Sequence, residues 1–270
     1  MSDFISALVL FGAGTSFACS GLFHHLYHEK KKELKKLKEI PVFRPDQRLS
    51  AVLKSSPRRR LHYVAVEGVV QADEEPLSSH FVPKCFGVLR RTVVQEHSES
   101  WNTLTKTWRP LLVNRRETNN AVPFSLVCPG SYMADFDVKV QDPLAGSGYF
   151  LEQVHHRVRR AEDGLVNAVL RGIGGERSVA IEESEEILRV GSSLTVFGEV
   201  LLEGDHGRMQ APQDGRQYLL VPSSYESYME RHERAASMWK MLTAATGITG
   251  ASLLAALVYN MAGRRDERSK

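Results

Sequence analysis

Four glutamates crowd into Ile181–Leu188 (IEESEEIL): Glu182, Glu183, Glu185 and Glu186. Paired carboxylates can exchange protons with a substrate or hold calcium. Neither use is complete here, because no glycine-turned calcium loop surrounds them and no nucleophile accompanies them. They read as a solvated acidic edge. His24 and His28 stand four residues apart, on one face of any helix that contains them, with His25 beside them. That spacing ligates zinc only when a third ligand is placed with it, and none is. His155 and His156 are adjacent, so their side chains point in different directions. Arg171–Arg177 (RGIGGER) is glycine-rich but lacks the Lys-Ser/Thr of a phosphate loop and reads as a turn. Arg58, Arg59 and Arg60 have no aromatic platform among them, and the net charge is only +3, so no nucleic-acid partner is expected. No Gly-x-Ser-x-Gly, His-Glu-x-x-His or Cys/His nucleophile arrangement occurs. The expectation from the residues is therefore an empty site: no catalytic, cofactor-binding or metal-ligating side chain, and no cofactor.

The elements around these residues are more informative. Phe4–Phe23 runs twenty positions without a charge, and Met241–Tyr259 is a second such run. Each is long enough to cross a hydrocarbon core of about 30 Å as a helix, the one spanning form that a single chain segment can take. A cleaved signal peptide would carry its basic residues before the apolar run; here they follow it, at Lys30–Lys32, so a retained anchor is preferred. Basic residues also follow the second run (Arg264, Arg265, Arg268, Lys270), so charge placement gives no orientation. The first span, about residues 4–26, continues into a lysine-rich stalk that Pro41 ends. A solvated spacer is the preferred reading of its six lysines, and attraction to lipid headgroups the second.

A short helix is expected over Gln47–Ser55, then a mainly β domain over residues 61–222. Its strands announce themselves as Val-rich or alternating runs (YVAVEGVV, ADFDVKV, SLTVFGEVLLE) separated by turn signals such as Asp214-Gly215. Gly148–Gly164 is the exception, with helical periodicity. Ser223 and Glu226 have capping-box spacing, and one helix is expected from there through the second span. The resulting organisation is residues 1–40 (span and stalk), 41–60 (short helix and linker), 61–222 (β domain) and 223–270 (stalk, second span and basic tail). The fold class is an α+β membrane protein, two transmembrane helices flanking a barrel-like β domain. Of the three cysteines, Cys19 lies in the first span. Cys85 and Cys128 form a disulfide only in an oxidising space, and reduced, packed thiols are preferred. Small residues at four-residue spacing, Gly247/Ala251/Ala255 and Gly14/Ala18, point to spans that pack together or self-associate.

Several stretches of the β domain, taken in order, resemble one family: Val93–Trp108 (VVQEHSESWNTLTKTW), Asn119–Val127 (NNAVPFSLV), Gly175–Glu203 and Gly215–Val221 (GRQYLLV). It is the mitochondrial E3 ubiquitin-protein ligase family, also called mitochondrial-anchored protein ligase, with its GIDE-type "beside a membrane" domain. The resemblance covers about Leu61–Val221 and has a span on either side. It implies a two-pass protein of the mitochondrial outer membrane, with peroxisomes as a second site. Both termini would face the cytosol and the β domain the intermembrane space. It further implies ubiquitin transfer to proteins that control mitochondrial organisation, through a C-terminal two-zinc RING finger that recruits a charged E2. Each zinc of such a finger needs four Cys or His ligands, yet the eleven residues after Tyr259 contain neither. The expectation is a chain without E2-activating residues of its own. It would be a ligase-family anchor whose finger is absent, or a binding module that recruits partners or pairs with a full-length ligase.

Overall fold

The computed structural model describes residues 2–130, 136–160 and 176–268, which fall into two units. One comprises Met1–Ile40 with Glu226–Lys270, the other Pro41–Tyr225.

The first unit is a pair of long helices, α1 (Ser2–Lys38) and α3 (Tyr225–Arg268); α2 belongs to the other unit. Both contain windows apolar enough to cross a membrane, and only 6% of each window is buried, as expected for surfaces that meet lipid. The helices run antiparallel: Lys38 pairs with Glu233 at 2.7 Å, Phe23 meets Trp239 with ring centroids 5.7 Å apart, and Ser20 Oγ donates to the Thr243 carbonyl at 3.0 Å. A Cβ on Gly250 would stand 3.1 Å from the Phe17 ring, and one on Gly247 3.4 Å from Ser20 Oγ. The packed face of α3 is thus Gly247 with Gly250. Ala251 and Ala255 are exposed, as are Gly14 and Ala18 on α1. Four-residue spacing found Gly247 but passed over Gly250, whose gap Phe17 needs. Gly250→Leu should therefore separate the helices. With Ser20→Cys and Gly247→Cys as reporters in a Cys19→Ser background, disulfide formation in membranes is expected to fall several-fold with Gly250→Leu and to stay unchanged with Ala251→Leu.

The second unit is built on a closed five-stranded ring. β2 (Arg60–Ala72) pairs with β6 (Phe124–Val127), β6 with β7 (Val138–Val140), β7 with β11 (His206–Gln210), β11 with β10 (Ser193–Glu203), and β10 returns to β2. Every contact in the ring is antiparallel except β7 with β11. That order, with its parallel closure between third and fifth strands, is the connectivity of an OB-type barrel. All four residues of β6, the second strand of the ring, are buried. β1 (Val42–Phe43) extends the ring along β2, and β12 (Leu219–Val221) extends it along β10.

The interior holds Val66, Leu126, Val138, Val196 and Met209, each fully buried, with Leu49 and Leu53 of α2 (Gln47–Ser55) packed onto the same cluster. α2 starts where the sequence places it because Asp46 caps it, its Oδ1 accepting the Leu49 N–H at 2.9 Å.

A second sheet is inserted into the ring's connections. It contains β3 (Leu77–Ser78), β4 (Phe86–Asn102), β5 (Thr107–Ala121), β8 (Glu152–Arg160) and β9 (Glu176–Arg189). β9 lies between β4 and β8, while β3 and β5 lie on the far side of β4. Pro110 is tolerated in β5 because β5 is an edge strand.

Two local expectations are corrected here. Glu152–Arg160, inside the stretch with helical periodicity, is the edge strand β8, and residues 161–164 lie outside the described residues. Its run of His and Arg faces the glutamates of β9 across the ladder, and that pairing outweighs local helical preference. The capping box at Ser223 does not form as spaced. The helix begins at Tyr225, whose N–H is accepted by Glu67 of β2 at 3.2 Å, and Ser223 Oγ turns to the Ser224 carbonyl.

Candidate functional site

The glutamate cluster sits on the interior strand β9, not on an edge, and strand alternation divides it between two faces. Glu182 and Glu186 share one face. Each Glu182 oxygen takes one imidazole: His97 Nε2 of β4 at 2.8 Å and His156 Nε2 of β8 at 2.9 Å. Four residues along, Glu186 lies 3.5 Å from the Arg91 guanidinium. Arg91 also reaches Glu117 of β5 at 3.3 Å, and Glu117 meets Arg115 at 3.2 Å. Two sets of pairs thus link the strands on a half-exposed surface, His156–Glu182–His97 across β8, β9 and β4, and Glu186–Arg91–Glu117–Arg115 across β9, β4 and β5.

The opposite face is covered by the loop after β3. Glu185 is fully buried and accepts hydrogen bonds from Ser79 Oγ and, at 3.0 Å, from the His80 N–H. Phe81 stacks on His155 with centroids 4.1 Å apart and planes within 8°. Glu183 on this face lies 3.6 Å from Arg159. The adjacent histidines do point apart, and each has a structural partner.

This arrangement is poorly suited to proton transfer. A general acid at neutral pH needs a raised carboxyl pKa. The hydrogen bonds from His156 and then His97 hold Glu182 below the ordinary carboxylate range instead. Its depressed pKa also fixes the sign of its contribution to stability. The stabilisation is present above the unfolded value of about 4.3 and is lost as the pH falls through the lower folded value. Glu182→Gln should therefore be less stable than the parent at neutral pH. The gap should close as acid titrates the parent below the ordinary glutamate range, which parallel denaturant titrations would measure.

Metal binding is no better served, since the two imidazoles spend their nitrogens on separate oxygens of one carboxylate rather than converging. Among the described residues no group of three His, Cys, Asp or Glu side chains is placed to hold an ion. The rings of His24 and His28 meet at a tilt on α1 with centroids 4.6 Å apart, and His25 faces Glu29 at 3.7 Å. Cys19, Cys85 and Cys128 are free thiols. Arg60 turns inward to Glu199, at 2.5 Å. The glycine-rich segment 171–175 lies outside the described residues, and Glu176 and Arg177 open β9.

The half-exposed face of the sheet carries side chains of both charge signs. The sequence marked Glu182–Glu186 but not their partners. His97 lies 85 residues from Glu182, and only the complementary pattern of HHRVRR against EESEE hinted at the pairing.

Comparison with known proteins agrees with this organisation. The family model described as GIDE, E3 ubiquitin ligase, matches residues 92–256, from β4 through the second sheet and the barrel into α3. A zebrafish (Danio rerio) protein, mitochondrial ubiquitin ligase activator of nfkb 1-A, is 35% identical over 255 residues, 94% of this chain and 73% of its own length. The human protein, mitochondrial ubiquitin ligase activator of NFKB 1, is 31% identical over 255 residues, covering 94% of this chain and 72% of that one. The Drosophila melanogaster mitochondrial E3 ubiquitin protein ligase 1 is 27% identical over 222 residues, 82% of this chain and 64% of its own. No solved structure matches. The family match spans the charged sheet, the barrel strands that follow it and the second apolar helix, and by it the chain belongs to the GIDE family of E3 ubiquitin ligases.

Proposed function

We propose that these 270 residues are the membrane-anchoring and partner-recognising part of a mitochondrial outer-membrane E3 ubiquitin ligase system. Both termini face the cytosol, and the β domain lies in the intermembrane space. The carrying observation is the combination in one matched segment of a folded, charge-laced β domain and an apolar helix, with a second apolar helix preceding that segment. The relatives' names supply the chemistry: ubiquitin ligation at mitochondria. E2 activation needs a two-zinc finger with four ligands per ion, and the side chains described above do not assemble one. In this reading the finger comes from outside these residues, and the β domain engages a protein partner. The helix pair anchors the domain to the bilayer, where the spans can also self-associate or pair with a full-length ligase. Peroxisomes are a second location.

The test is ubiquitin transfer by the purified chain in detergent with E1, E2, ubiquitin and ATP. The expected result is no autoubiquitination by the chain alone, with co-reconstitution beside a full-length family ligase changing that ligase's output. Robust chain formation by these residues alone, insensitive to zinc chelation, would contradict the proposal.

A further inference from the structure

We propose that α1 carries a binding site for an anionic phospholipid headgroup on the two turns that follow its span. The apolar run passes into the basic run within one helix, so the height of each lysine is fixed relative to the bilayer. Taking Tyr27 as the interfacial aromatic, a rise of 1.5 Å per residue puts Lys31 and Lys32 roughly 6–8 Å beyond it and Lys35 roughly 12 Å. The headgroup layer adds about 5–8 Å to each side of the hydrocarbon core, and a charge is felt for about 8 Å more at physiological salt. All three lysines lie within that reach.

They also share a shaped site. Lys31, Lys32, Lys35, Lys38 and His28 line a cavity of about 750 Å³ beside α1, with Glu29 contributing a carboxylate. That volume suits a glycerophosphate head with the first atoms of its chains. Ion pairs on the stalk engage Lys30 with Glu33 and Lys38 with Glu233, while Lys31 leans over the Tyr27 ring at 5.9 Å. Lys31, Lys32 and Lys35 therefore remain to hold an external anion. A lipid phosphate is the occupant committed to, because the cavity stands at the boundary where such phosphates are concentrated. The inference rests on the span in α1 and not on the ligase reading, so each can fail without the other.

Native mass spectrometry of the full chain, released from micelles holding equal phosphatidylcholine and phosphatidic acid, tests it. The anionic lipid should be retained preferentially, and the retention should weaken as salt is raised. Each lysine near a membrane surface contributes about fivefold, so Lys31→Gln, Lys32→Gln and Lys35→Gln together should reduce the preference by roughly a hundredfold. Lys30→Gln with Lys36→Gln, which removes two charges but no cavity side chain, should reduce it by no more than the roughly 25-fold that diffuse attraction of two lysines supplies. No preference in the parent chain, or a preference indifferent to salt, would overturn the site. Equal losses in the two variants would also overturn it, since diffuse attraction would then suffice. So would glycerol 3-phosphate binding without lipid as tightly as phosphatidic acid, which would make a soluble anion the ligand.

Discussion

Replacing Gly148 with alanine is expected to destabilise the β domain by about 4 kcal/mol, combining about 1–3 for backbone strain with about 1–3 for overpacking. Gly148 has a φ of +113°, a region that L side chains rarely enter. Its neighbours make matters worse: an added Cβ would stand 2.3 Å from the Leu220 carbonyl oxygen and 3.2 Å from Leu219 Cδ1. Backbone cannot swing aside as a side-chain tip can. The segment is also stitched down on both sides. The Ser147 N–H donates to the Tyr218 carbonyl at 2.8 Å, the Leu220 N–H to the Ser147 carbonyl at 2.9 Å, and the Tyr218 hydroxyl to the Gln141 carbonyl at 2.9 Å. Burial pushes the Tyr218 phenol well above its ordinary pKa, so it remains a donor at any working pH. Thermal unfolding of the detergent-solubilised chain should shift down by roughly 10 °C for a domain of this size. A loss under about 1 kcal/mol would mean that the segment before β8 yields easily and does not brace β12.

The second large effect concerns the barrel's buried charge. The Glu199 side chain on β10 is 1% exposed and faces Arg60 at the start of β2, itself 20% exposed, at 2.5 Å. The Gln213 N–H reaches its other oxygen at 3.4 Å. Although close, Arg60 Nε and Glu199 Oε1 fall outside hydrogen-bond geometry, so the contact is mainly Coulombic. Arg60→Met strands a carboxylate in the barrel wall and should cost about 3–5 kcal/mol. Adding Glu199→Leu removes the stranded charge and should recover most of that loss, since an apolar pair of similar volume often matches a buried ion pair. Denaturant midpoints for the two single variants and the double close the cycle. A double variant no more stable than Arg60→Met would show that Glu199 acts through Gln213 and the loop after β11 rather than through Arg60.

Legibility from sequence followed the range of the forces involved. Twenty uncharged residues from Phe4 to Phe23 state a span on their own, and Asp46 before Gln47 states a helix start within one turn. β8 was hidden because an edge strand takes its identity from its partner. His155–Arg160 are a plausible helix alone and a strand only beside Glu182–Glu186. A barrel-like domain was expected, but not which strands close it, since β2 and β10 meet only after the whole second sheet has been inserted between them. The small-residue stripe was half legible: spacing marked α3 as a packing helix, but the bulk of Phe17 decides that Gly250 and not Ala251 lies underneath. The charged sheet was least legible, because Glu182 and Glu186 find His97 and Arg91 on β4, a strand distant in the chain.

The central proposal is that the two antiparallel helices cross one membrane, with both termini on one side of it and the GIDE domain on the other. Protease protection measures it directly, using mitochondria that carry the chain with a different epitope at each end. With the outer membrane intact, both epitopes should be removed while a fragment containing the β domain survives. Swelling that ruptures the outer membrane alone should then destroy the fragment. A β domain digested in intact mitochondria, or one still protected after swelling, would contradict the account.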